Sequence, residues 1–192
     1  MFRKICVLAL GLALVPAVSM AQDKKDVQPS SGNTYPNCNG VFGNIVTNCG
    51  FETGDFSGWM QEGDPGFTGV NTTAAHHYGV PFPSGFGAFF GPTGALGCIF
   101  QDVTTPAFHY DISLWLSNAG APNQFTVQWN GAFLSNSSNV FDFGWTQLAY
   151  PNVFTAPAVS RIEICFFNPP NFFYADDIVV VQTPGTDNTP KK

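Results

Sequence analysis

The stretch NCGFETGDFSGW, residues 48 to 59, is the one around which the chain is organised. A carboxylate, Glu52, stands beside an apolar anchor, Phe51. Gly54 and Gly58 then turn the chain, and Trp59 returns to bury its ring. Just upstream, Asn44-Ile45-Val46-Thr47 is a short apolar run that reads as the first strand of a domain, residues 44–48.

Outward from that stretch the chain has no amphipathic helical period. Short apolar runs recur instead, at residues 44–48, 86–90, 97–103, 109–117, 124–130, 146–154, 161–167 and 173–181. Gly131, Asn136 to Asn139, Pro157 and Asn168-Pro169-Pro170 punctuate them. Eight or so such strands predict an all-β jelly-roll sandwich of two packed antiparallel sheets. Alternation assigns the faces. Tyr110, Ile112, Leu114 and Leu116 share one parity and face the core, leaving Asp111, Ser113, Trp115 and Ser117 outside. In the next strand Phe125, Val127 and Trp129 point inward, with Thr126, Gln128 and Asn130 outward. Trp115 is the one large ring in an otherwise polar outer row.

The closing strand, FFYADDIVVV at residues 172 to 181, sets a second problem. Ile178 and Val180 read as core-facing, and Asp176 shares their parity. A carboxylate at the start of an inward row is costly unless it is paired or bound to a cation. Together the opening and closing stretches resemble the "NGGFETGDFSGW" opening and the "F-Y-(I/L)-D-D-V-x-V" end strand of secreted bacterial domains with a galactose-binding-like jelly roll. Those domains are similar to the carbohydrate-binding modules of xylanases and cellulases, and to exported proteins carrying a PEP-type sorting tail. The resemblance covers residues 42 to 182 and implies the same β-sandwich here. It also implies a structural calcium ion held by Glu52 and Asp176, with backbone carbonyls completing the oxygen shell. The alternative is that Asp176 and Asp177 accept backbone N–H bonds in a turn.

The first 21 residues read as a signal peptide. Arg3 and Lys4 precede an apolar run from Ile5 to Val18, and Ser19-Met20-Ala21 offers a small-x-small cleavage site. The run is short for a bilayer span, so the expected product is secreted, starting at Gln22. Residues 22–36 read as a flexible linker, 37–182 as the sandwich domain and 183–192 as a disordered tail. That tail, TPGTDNTPKK, holds no apolar anchor helix and no PEP-type sorting motif, a departure from many of the exported proteins resembled. From Gln22 onward five basic residues stand against thirteen acidic ones, a net −8. Such a balance disfavours nucleic acid and anionic membranes, which need clustered Lys and Arg.

Cys38, Cys49, Cys98 and Cys165 remain after residue 21. An even count in an exported chain reads as two disulfides, with three possible pairings. Cys38–Cys49 with Cys98–Cys165 is the favoured set, the first clipping the leading segment to the first strand and the second tying distant strands. Loop-closure entropy gives roughly 3 kcal/mol for the short loop and about 4.5 kcal/mol for the long one. No C-x-x-C spacing supports a cysteine metal site.

No G-x-S-x-G elbow, H-E-x-x-H helix or phosphate-binding glycine loop is present. Glu52, Glu62, Asp64, Asp102, Asp111, Asp142, Glu163 and the Asp176-Asp177 pair supply acids, but none sits in a motif marking a catalytic acid. The chain therefore reads as a non-catalytic module, with a glycan hydrolase as the minor alternative. His76 and His77 read as solvent-exposed loop residues, with a ligand-contacting loop as the sharper reading. Trp115 among Asp111, Ser113, Gln128 and Asn130 offers an aromatic platform with polar neighbours, the mixture that binds sugar rings. The other reading of Trp115 is a ring covered by a loop. The expected function is binding an extracellular glycan, and the rival is a structural or adhesive surface protein without a sugar site. Mass analysis of secreted, non-reduced protein is expected to show a Gln22 start and no alkylatable cysteine; two free thiols would contradict the two-bridge assignment.

Overall fold

A computed structural model of the chain describes residues 38–76, 85–106, 109–156 and 158–185. The expected signal peptide, the linker and tail residues 186–192 lie outside the described residues.

Among the described residues ten strands form two five-stranded sheets. Sheet A contains β1 (Met60–Gly63), β4 (Gly97–Thr104), β9 (Val159–Phe167), β6 (Gln124–Trp129) and β7 (Ala132–Ser138), in that spatial order. Sheet B runs β2 (Gly69–Asn71), β3 (Gly87–Phe90), β10 (Phe173–Gln182), β5 (His109–Asn118) and β8 (Phe143–Phe154). Every pairing is antiparallel. This is the jelly-roll sandwich that the recurring apolar runs imply.

The core lies between the sheets and follows the period of two. Ile99, Phe125, Val127, Ile162, Ile164 and Phe166 project from sheet A against Phe90, Ile112, Leu114, Leu116, Phe173 and Val180 from sheet B, all at most 5 % exposed. At its centre the Phe166 ring stacks on Phe90, 4.4 Å between centroids, and leans on Phe173 at 5.1 Å. Burial alternates without a break along β5, from Tyr110 to Asn118. Trp115 is therefore on the outer face of sheet B, as its parity requires.

Three features of the strand reading need correction. Residues 44–48 are not a ladder strand: Asn48 and Phe51 have φ of 49° and 57°, left-handed values that break an extended run. The segment still lies along β10, with Ile45 N–H donating to Val180 and Ile178 N–H to Cys49. Strands β1, β2 and β7 had no apolar run to announce them. The four residues of β1 are all exposed, and β7 has one half-buried apolar position, Leu134. Both are edge strands, where few side chains reach the core.

The third correction concerns β10. Its register with β5 shifts between Asp176 and Val179, and Asp177 takes φ of 48°. This bulge swaps parity within the strand. Ala175 and Ile178 are both core-facing at 0 % exposure, while Asp176 stands opposite Trp115 on the outer side of the sheet. Asp176 is thus buried, but not in the inward row to which strict alternation assigned it.

Both disulfides form as favoured. Cys38–Cys49 closes eleven residues of the leading segment, and Cys98–Cys165 joins directly opposed positions of β4 and β9. Phe166→Ala is expected to destabilise the domain by roughly 3–5 kcal/mol, the cost of a large cavity among stacked rings. Chemical denaturation with an unchanged m-value would measure it.

Candidate functional site

The β10 bulge gathers the acidic groups. The register of β10 against β5 breaks after Asp176, and the Asp177 N–H turns back onto Asp176 Oδ1 at 2.7 Å. The Asp177 carboxylate then fastens two separate segments. Its Oδ1 accepts the Cys38 N–H at 2.8 Å, and its Oδ2 lies 3.4 Å from His76 Nδ1. Asp176 Oδ2 accepts the His76 backbone N–H at 2.8 Å. His76 arrives from a 3-10 turn at Thr72–Ala74, which Asn71 caps by accepting the Ala74 N–H at 2.8 Å.

Glu52 closes the cluster from the 48–59 stretch. Two glycines lie against the acids: a Cβ on Gly50 would be 3.4 Å from Asp176 Oδ1 and 3.5 Å from Asp177 Oδ1, in ordinary contact, and one on Gly85 a tight 3.3 Å from Glu52 Oε1. Asp176, 1 % exposed, has its carboxyl pushed up to about 8. Burial is the main cause, followed by the charge of Asp177, with Glu52 adding to it; the His76 and Asp177 N–H groups pull the other way. Asp176 and Asp177 are buried at the bulge, and Glu52, half-buried, is close enough for its charge to raise the Asp176 carboxyl; oxygen donors grouped in this way are of the kind a hard cation takes. Glu52 and Asp176, the two residues that the resemblance names, interact through their charges.

A second group, Cys98, Glu163 and Cys165, also places its potential ligand atoms within 4.8 Å of one another. Its two sulfurs are joined to each other, so neither is a thiolate and the group does not fit a metal.

The residues expected to bind a glycan do not form one site. Trp115 is half-buried, and the His76 imidazole stacks on it with centroids 3.9 Å apart and planes 20° from parallel. Trp145 meets the same imidazole edge-on at 5.3 Å. One face of the indole is thus occupied by the chain itself, the covered arrangement that was the other reading of Trp115. Asp111 shares its sheet face but is engaged, its Oδ1 accepting from Asn152 N–H at 2.8 Å and Thr183 Oγ1 at 2.7 Å. Ser113 lies between them in the same outer row.

Gln128 and Asn130 belong to the opposite side of the sandwich. The strand after β5 in sequence is not its neighbour in space: β5 pairs with β10 and β8, and β6 lies in sheet A. Asn130 is moreover a turn residue. With φ of 52° it starts the β6–β7 hairpin ahead of Gly131, and its side chain bonds Thr155, Ser160 and the Arg161 N–H. An Asn-Gly pair between two strands is the available sequence signal for that hairpin.

His76 is the residue the sequence understated. It is half-buried, its side chain 16 % exposed, rather than a solvated loop residue. Nothing local marks it, because the partners described above lie 39, 69 and about 100 positions away in the chain. His77 lies outside the described residues.

The fold as a whole is similar to solved carbohydrate-binding modules. A family 61 module in complex with β-1,4-galactotriose superposes with a TM-score of 0.56 at 20% identity, over 72% of this chain and 98% of that one. The C-terminal family 22 carbohydrate-binding module of Clostridium thermocellum Xyn10B gives 0.52 at 15% identity, over 79% and 99%. The K3 adhesin domain of Lys-gingipain from Porphyromonas gingivalis gives 0.50 at 15% identity, over 71% and 99%. No protein-family profile matches the chain, and no curated protein does. Identities this low concern the fold alone, and that fold is a galactose-binding-like jelly roll.

The raised carboxyl of Asp176 fixes the sign of a pH effect. Folding holds a proton that the unfolded chain releases near the ordinary value of 3.8, so this group favours the folded state most at low pH. Its contribution is lost as pH climbs from about 4 toward about 8. In chelator, the melting temperature is expected to be lower at pH 8 than at pH 5, and Asp176→Asn is expected to flatten the difference. Equal melting temperatures at the two pH values would contradict the buried, proton-favouring environment.

Proposed function

We propose that the chain is an exported, non-catalytic carbohydrate-binding module whose loops are held by a structural calcium site. The observation that carries this reading is the cluster of Glu52, Asp176 and Asp177 at the β10 bulge, within a sandwich shared with glycan-binding modules. Glu52, Asp176 and Asp177 would hold the ion. When bound, it would offset the charge of these acids and so lock the leading segment and the His76 turn against β10. Trp115 serves that turn as its stacking partner. Two disulfides and the acidic balance support an extracellular setting.

A non-catalytic role agrees with how the acids are used. Asp176 and Asp177 accept bonds that hold the fold, Asp64 accepts the N–H groups of Gly66, Thr93 and Gly94, and Asp102 is paired with Arg161. The second reading, an adhesive extracellular domain without a sugar site, is favoured by the likeness to the gingipain adhesin domain.

A glycan array probed with the mature protein tests the reading: retention on one group of related neutral glycans is expected, and a blank array would favour the adhesive alternative. The calcium site has its own check. Chelation is expected to lower the melting temperature and calcium to restore it, with about 2.7 kcal/mol regained at a hundredfold excess over the dissociation constant. Glu52→Gln is expected to abolish that recovery. A melting curve indifferent to chelator in demonstrably metal-free protein would reduce the cluster to a hydrogen-bonded turn.

A further inference from the structure

One face of Trp115 is taken by His76, and among the described residues the outer face of sheet A also carries ring and acceptor groups in register. One row crosses all five of its strands. Met60 on β1 stands opposite Phe100 on β4, Phe100 opposite Glu163 on β9, Glu163 opposite Gln128 on β6, and Gln128 opposite Phe133 on β7. Their sequence neighbours Ile99, Ile164 and Val127 are 0 % exposed in the core, so the row itself faces away from it.

The chemistry changes along this row. Phe133 is 58 % exposed and Met60 49 % exposed, apolar groups set at the two ends. Between them the polar side chains are held in place. Gln128 donates its Nε2 to Glu163 Oε1 at 3.0 Å. The Arg161 guanidinium lies 3.8 Å over the Phe100 ring and is pinned by Asp102 through two bonds of 2.8 and 3.0 Å. Glu163 Oε2 and Gln128 Oε1 have no hydrogen-bond partner among the described residues. Acceptors of this kind suit hydroxyl donors, and an exposed flat ring suits the C–H face of a sugar. Phe100 is itself buried, 8 % exposed under Arg161, and four strand spacings set the exposed ends Met60 and Phe133 roughly 19 Å apart, longer than a single sugar ring.

Charge narrows the occupant. Glu62 and Glu163 stand in neighbouring rows, and Arg161, the one Lys or Arg among the described residues, is neutralised by Asp102. A face with surplus negative charge repels uronate, sulfate and phosphate groups. From this row we infer that the outer face of sheet A binds a neutral, extended glycan lying across the strands, its rings meeting Phe133 and its hydroxyls meeting Glu163 and Gln128. The inference rests on the carbohydrate-binding reading and deepens it, moving the ligand to the side of the sandwich opposite Trp115.

Titration calorimetry with β-1,4-galactotriose and xylohexaose, two neutral extended chains, tests it on the mature protein and on Phe133→Ala, Glu163→Gln and Gln128→Ala. Gln147→Ala serves as control, since Gln147 is exposed opposite Trp115 on the other face. The expected result is binding of at least one oligosaccharide by the parent. Phe133→Ala and Glu163→Gln should weaken it tenfold or more at an unchanged melting temperature, and Gln147→Ala should leave it intact. A parent that binds while the sheet A variants bind equally well overturns the face and leaves the carbohydrate reading standing. A parent that binds neither oligosaccharide overturns the face as a site for neutral extended chains, and a blank glycan array then removes the wider reading as well.

Discussion

The structure depends on how Asp176 and Asp177 are kept buried at one bend of β10, with the charge of Glu52 acting on Asp176 from the 48–59 stretch. Burying a carboxylate is costly, and burying one beside another is more so. The chain meets that cost with backbone N–H groups, one from Cys38 onto Asp177 and one from His76 onto Asp176. These two bonds tie the beginning of the domain and the loop after β2 to its last strand. The bulge that exposes the acids to those segments also resets the strand's parity, so Ile178 and Val180 still reach the core. Packing and site are therefore set by the same backbone irregularity.

The core was legible because it obeys a period of two over long strands. Tyr110 to Leu116 and Phe125 to Trp129 give their faces away without knowledge of any partner. The acid cluster was legible only in part. Glu52 and the Asp176-Asp177 doublet carry a motif, but the bulge that decides where Asp176 points leaves no local trace beyond the doublet itself. Period-two reasoning placed Asp176 on the correct strand and the wrong side of it.

The platform around Trp115 failed for a different reason. Parity fixes which side of a sheet a residue occupies, but it says nothing about which strands are neighbours. In a jelly roll, consecutive strands often belong to opposite sheets, as β5 and β6 do here. Outward from β5 and outward from β6 are consequently opposite directions. Nor does parity report what covers an outer residue. His76, 39 positions before Trp115, takes up that indole face through a contact no window of sequence contains.

The way the domain begins has a mechanical consequence. Cys38 is bonded to Asp177, Cys49 accepts from Ile178, and the disulfide joins these two cysteines to each other. Both chain directions out of the domain thus start from β10, which lies inside sheet B between β3 and β5. Tension applied between the two ends passes from Cys38 through the bulge and along β10 to Thr183. Most of the sandwich, including all of sheet A, stands off that load path. A domain wired in this way can be tugged by whatever it is tethered to while the outer surface of sheet A keeps its shape.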